Sequence, residues 1–198
     1  MQTTVPRTVK ILTSIWVCAV IAGIALLIDY SAAPGTDAAP PPTWPAETAV
    51  TRHVSNSTLM MFVHPKCPCS NASLSELARV AARCHARMDL KVVFVKPQGA
   101  PSEWNQSPLK SKAEQIPRVQ TIVDQDGRIA ATFGVKTSGH CVVYDTDGKL
   151  LFSGGITAGR GHEGDSPGQS IIQAIAQGHT VDQAQQCATF GCALFSAQ

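Results

Sequence analysis

The sequence predicts an α/β domain, a central mixed sheet flanked by helices, preceded by a single N-terminal transmembrane helix. Three observations carry this. One uncharged apolar run, ILTSIWVCAVIAGIALLI, fills residues 11–28. Short, continuously apolar segments then alternate with amphipathic helical ones, and a late pair of apolar runs flanks Asp147-Gly148. At 198 residues and 44% hydrophobic content, the chain holds one ordinary domain of about 100–200 residues plus attachments. A formal charge of +2 without any Lys/Arg block argues against nucleic acid as a partner.

Residues 1–10 carry Arg7 and Lys10 and are expected on the cytoplasmic side. The 11–28 run is close to a spanning length of about 20 residues and exceeds the roughly 7–15-residue core of a cleaved leader. An uncleaved anchor is therefore expected, with cleavage near Ser31-Ala32-Ala33 as the alternative. Both deliver the domain to the far side of the membrane, which predicts a single-pass protein of the bacterial inner membrane with its C-terminal domain in the periplasm. Residues 29–50, rich in Pro and Ala, are expected to be an extended linker, and residues 51–198 the domain with a cysteine-containing extension.

Within the domain, residues 58–63 (TLMMFV) suit a strand buried on both faces. Residues 70–87 read as a helix, with Leu74, Leu77, Ala81 and Cys84 on one stripe and Ser73/Glu76 spaced as a capping box. Residues 90–95 form a second strand. A polar stretch with Trp104 and Pro108 leads into a helical segment, then residues 120–123 form a third strand. Residues 128–133 make a short helix closed by Gly134. Residues 141–144 and 150–153 pair as a hairpin, and Ser166-Pro167 opens a last helix that ends at Gly178.

The chemistry concentrates in "HPKCPCS", residues 64–70. Cys67 and Cys69 stand where the first strand hands over to the first helix. Unpaired N–H groups and the helix dipole lower a thiol pKa there, and His64 and Lys66 add potential positive charge. Cys84, on the apolar stripe, reads as a small core hydrophobe, and Cys18 inside the span as inert. Five residues, Cys67, Cys69, His64, His140 and Cys141, also form a soft and imidazole donor set compatible with copper or zinc, so no cofactor is expected on the first reading and copper or zinc on the second.

The element order, the HPKCPCS junction and "DQDGRIAATFGVKTSGHCVVYDTDGKLLFSGGI" together resemble the thioredoxin-like superfamily over roughly residues 51–178, in particular its membrane-anchored TlpA/ResA type. The HPxCPCS motif, "SGGIT…RGHEGD" and the late "FGC" are similar to RedB-type thioredoxin-like proteins. The resemblance implies a thiol-disulfide oxidoreductase acting on protein thiols and disulfides, with Cys67 attacking, Cys69 resolving, and His64 and Lys66 tuning the thiol. Ser70 then occupies the position of the family's second cysteine, and Gly139 that of its cis-proline. Losing the proline would open the loop opposite the cysteines, where His140 and Cys141 lie. A small Cys67–Cys69 ring would be strained and easily reduced, which favours an oxidising or isomerising couple. Peroxide reduction ranks third, because His64 stands where peroxidases place a threonine.

Two tail features complete the reading. The stretch "TAGRGHEGDSPGQS", residues 157–170, is expected to line the site, with His162 and Glu163 as a proton relay; it is not a phosphate-binding loop. In an oxidising compartment Cys187 and Cys192 most simply form a structural disulfide, with a resolving pair that serves Cys67 as the alternative. Connectivity among the six cysteines outside the span stays open.

Overall fold

The computed structural model describes residues 6–84 and 87–195. The outer ends of the expected N-terminal segment and domain, residues 1–5 and 196–198, and residues 85–86 of the first expected domain helix lie outside them. Helix α1, Arg7–Ala32, is exposed along its length. Its 26 residues reach about 39 Å at 1.5 Å per residue, enough for a hydrocarbon core of about 30 Å, and its composition is apolar enough to cross one.

The domain runs β1 (Ser57–Val63), α2 (Ser70–Arg83), β2 (Met88–Lys96), α3 (Pro108–Glu114), β3 (Val119–Gln125), α4 (Arg128–Thr132), β4 (His140–Tyr144), β5 (Leu150–Gly154), α5 (Pro167–Ala176) and β6 (Gln185–Gln186). The strands form one sheet in the order β3-β2-β1-β4-β5-β6. β1, β2 and β3 are parallel, while β4 runs antiparallel to β1 and β5. This is the mixed sheet flanked by helices that the sequence predicts. β1 is central and buried on both faces, which is why TLMMFV does not alternate. Leu59, Met61 and Val63 face a core completed by Leu74 and Leu77 of α2 and Ile172 of α5, while Met60 and Phe62 face a second core with Phe133 and Tyr144.

That second face is covered in an unexpected way. The short α4 lies on it, and the Pro/Ala-rich segment and Leu194 of the C-terminal end add to the cover. Trp44 meets Phe133 edge-on at 5.1 Å and Tyr144 at 5.3 Å. The Tyr144 hydroxyl donates to the Pro41 carbonyl at 2.8 Å, and the Leu150 and Trp44 N–H groups donate to Pro42 and Gly148. The segment is extended, as its composition dictates, but it lies against the fold instead of hanging as a spacer. Packing therefore starts well before residue 51, because the sheet would otherwise leave an aromatic face in water.

α2 ends at Arg83, and Ser73 and Glu76 form no capping box. The helix begins four residues earlier than that motif requires, with Cys69 as its N-cap. Glu76 is instead wholly buried. It accepts from Arg79, from the Gly164 N–H and from Gln169 Nε2 at 2.7 Å, so it ties the 157–166 loop to α2. The closing signals hold: Ser166 Oγ accepts from Gln169 N at the start of α5, and Gly134 and Gly178 have φ of 62° and 88°.

Candidate active site: a three-cysteine cluster

β1 ends beside β4, and residues 64–69 turn from it into α2. The turn is held by Cys67 N–H donating to the His64 carbonyl at 3.0 Å and Ser70 N–H donating to the Cys67 carbonyl at 3.2 Å. Ser138, in the loop before β4, fixes this turn from the other side. Its Oγ accepts from His64 N–H at 2.8 Å and hydrogen-bonds Ser70 Oγ at 2.7 Å. Its N–H donates to the Cys192 carbonyl at 2.8 Å. A C-terminal strap, bridged to the loop through Thr137 and Ala193, thus lies across the cysteines.

The sulfurs of Cys67, Cys69 and Cys192 lie within 4.8 Å of one another. Burial alone would push the Cys67 thiol up, but the Ser70 hydroxyl, the N–H and thiol of Cys192 and the Ser70 N–H outweigh it and hold Cys67 below the usual cysteine value. Cys69 is pushed up by burial and then by the charge of Cys67, partly offset by the Arg160 guanidinium. Cys192 is pushed up to about 12 by burial, by donating to Cys67 and by the charges of both other sulfurs. One thiolate with one thiol donating to it is the arrangement these shifts describe.

Sequence reasoning missed Arg160, and it joined Cys192 to Cys67 only as the alternative, in a resolving pair with Cys187. Arg160 donates through Nη1 to the Gly191 carbonyl at 2.6 Å and through Nε to the Ala33 carbonyl at 3.1 Å, and its guanidinium lies 5.1 Å from the Tyr30 ring centre. It joins the end of α1, the strap and the thiols. A glycine directly before a cysteine in "FGC" is the sequence mark of this close approach, since a side chain at Gly191 would collide with the Ser138 carbonyl.

Several expected positions are corrected. Cys187 and Cys192 are both free thiols; Cys192 joins the cluster, and Cys187 instead borders a cavity of about 300 Å³ with His140 and Thr189. The loop at Gly139 does not open the space opposite the cysteines, because the strap fills it. Among the described residues no peptide bond is cis, and Gly139 has φ of 87° with a Cβ position only 2.7 Å from Ser73 Oγ. His140 faces away from the cluster, paired to Thr189 at 2.7 Å and Ser153 at 2.9 Å, and burial lowers its pKa to about 4. Cys141 is fully buried in the sheet core, and burial raises its thiol. The donor set with His64, His140 and Cys141 is therefore not assembled.

His64 and Lys66 are not among the groups that set the Cys67 thiol. His64 is buried, and burial followed by the Lys66 charge lowers its pKa. Its Nδ1 accepts from Lys66 N–H at 3.3 Å, so Nε2 carries the hydrogen and has no partner among the described residues. The Lys66 ammonium sits 4.2 Å from the Trp104 ring centre. His162 donates to the Arg160 carbonyl and Glu163 accepts from Arg79; among the described residues neither hydrogen-bonds a cysteine. From that loop Arg160, not these two, reaches the thiols.

No protein-family model and no curated protein matches the sequence. Among solved structures, the chain is similar to an uncharacterized conserved protein from Geobacillus kaustophilus, with 22% identity and a TM-score of 0.59 over 84% of this chain and 95% of that one. It is also similar to a hypothetical protein from Sinorhizobium meliloti 1021, with 20% identity and a TM-score of 0.55 over 85% and 97%. A secreted Mycobacterium tuberculosis disulfide oxidoreductase shares 19% identity with a TM-score of 0.43 over 63% and 82%. At these identities the likeness is one of fold. Strand order and crossover helices are those of a thioredoxin-like α/β fold.

Proposed function

We propose that the chain is a membrane-tethered, extracytoplasmic thiol-disulfide oxidoreductase of the TlpA/ResA and RedB-type kind, which exchanges disulfides with protein clients through Cys67. The observation that carries this is the Cys67 sulfur, held low by the Ser70 hydroxyl and by the N–H and thiol of Cys192 at the start of α2. A thiolate is the reactive form in exchange, both as nucleophile and as leaving group. Helix α1 serves as the tether, with Arg7 and Lys10 on the cytoplasmic side; a reporter fused after Gln198 is active only outside the cytoplasm on this reading. Residues 33–50 then act as a docked connection between tether and domain, since α1 runs on to Ala32. Cys67→Ser abolishes disulfide transfer to a reduced, unfolded model substrate while the circular dichroism spectrum stays native. Full transfer by that variant refutes the reading.

A second reading has its own observation: three sulfurs within 4.8 Å are a soft donor set that a small contraction would fit to monovalent copper or to zinc, whose Zn–S bonds are about 2.3 Å. Cys67, Cys69 and Cys192 would hold the ion, in place of the mixed set with histidines. Stoichiometric copper or zinc without disulfide turnover selects this reading.

A further inference from the structure

We infer that Cys192 is the redox partner of Cys67 and the sulfur at which clients exchange, with Cys67 as the buried leaving group. This rests on the thiol-exchange reading and assigns its partner cysteine. Three observations carry it. Cys67 is wholly buried and Cys69 is 8% exposed, while Cys192 is half-buried on the strap above them, so it is the sulfur an incoming thiol meets. Cys192 turns both its N–H and its thiol toward Cys67 but only its thiol toward Cys69, and Cys69 meets Cys67 only through charge. A Cys67–Cys69 bond would close the small ring of a C-x-C pair, while Cys67 and Cys192 sit on separate segments already in contact and need no such ring.

The step balances. From the Cys67–Cys192 disulfide, a client thiolate attacks Cys192 Sγ, the S–S bond breaks, and its electron pair leaves on Cys67 Sγ, where Ser70 stabilises it. The client's second thiolate then attacks the client sulfur of the mixed disulfide and expels Cys192, which takes up a proton. The client dithiol has lost two electrons and the pair has gained them. A more oxidising protein disulfide restores the pair by the same exchange in reverse. The hydrogen bond from Cys192 to the Cys67 thiolate stabilises the reduced pair, and that makes the couple oxidising.

The test uses the full chain in detergent micelles, oxidised with diamide, then mixed briefly with reduced glutathione, acid-quenched and mapped by peptide mass spectrometry. The expected result is a Cys67–Cys192 disulfide before mixing and glutathione on Cys192 after it. A Cys67–Cys69 disulfide, or glutathione on Cys67 or Cys69, overturns the assignment and leaves thiol exchange standing. No disulfide within the cluster and no adduct on any of its cysteines overturns both.

Discussion

The Arg160 guanidinium donates to the Gly191 carbonyl at 2.6 Å, one residue before Cys192, and its backbone N–H donates to the Ser31 carbonyl at 2.9 Å. Arg160→Ala removes the brace on the strap. Iodoacetamide labelling of Cys192 should then accelerate about tenfold, the equivalent of losing one charged hydrogen bond of about 1.5 kcal/mol. Arg160→Lys should not restore the slow rate, since one ammonium cannot reproduce the planar fork that serves Gly191 and Ala33 together. Unchanged labelling in the alanine variant would show that Arg160 does not hold the strap.

Ser70 offers a second handle on the same sulfur. Its hydroxyl stabilises the Cys67 thiolate while also bonding Ser138. In Ser70→Ala the pH profile of Cys67 alkylation should move to higher pH, because the largest contribution favouring the thiolate is gone. A profile that stays in place would leave the strap's donors as sufficient.

Stability should fall with acid through His140. Its pKa is about 4 when folded against about 6.5 when unfolded, so below pH 6.5 the unfolded chain binds a proton that the folded chain refuses. The stabilisation is complete above pH 6.5 and lost between about 6.5 and 4, about 3 kcal/mol in all. His64, also lowered, works in the same direction. Urea midpoints of the wild type and His140→Gln at pH 7 and 4.5 check this: the variant should lose part of the pH dependence, and parallel curves would count against it.

Trp44 tests whether the Pro/Ala-rich segment is structural. Its ring packs on Phe133 and Tyr144, so Trp44→Ala should cost about 3 kcal/mol and speed proteolysis of residues 33–50. A cost near zero would return the segment to the status of a spacer.

The legible parts of the fold were those with local causes. β1 showed in TLMMFV because a doubly buried strand has no polar face, and α5 showed in Ser166-Pro167 because the cap and the fixed φ are both written there. Ser73 and Glu76 misled because the same spacing served a tertiary purpose: Glu76 anchors the Gly164 loop. Cys67 was legible from its place at a strand-to-helix junction. Cys192 was legible only as an alternative partner, because nearness in sequence suggested Cys187, and Gly191 marks a close approach without saying that the bridge between Thr137 and Ala193 carries it to Cys67. The linker's docking escaped for the same reason, since only the folded sheet reveals an uncovered aromatic face.

The strap also sets a schedule. Cys67 and Cys192 belong to opposite ends of the domain, and at roughly 5–20 residues per second of synthesis the second thiol follows the first by several seconds or more. During that interval Cys67 keeps Ser70 but lacks both groups that Cys192 presents to it, so its thiol stands closer to the ordinary cysteine value. The full lowering of the Cys67 thiol arrives last, with the residues that close over the site.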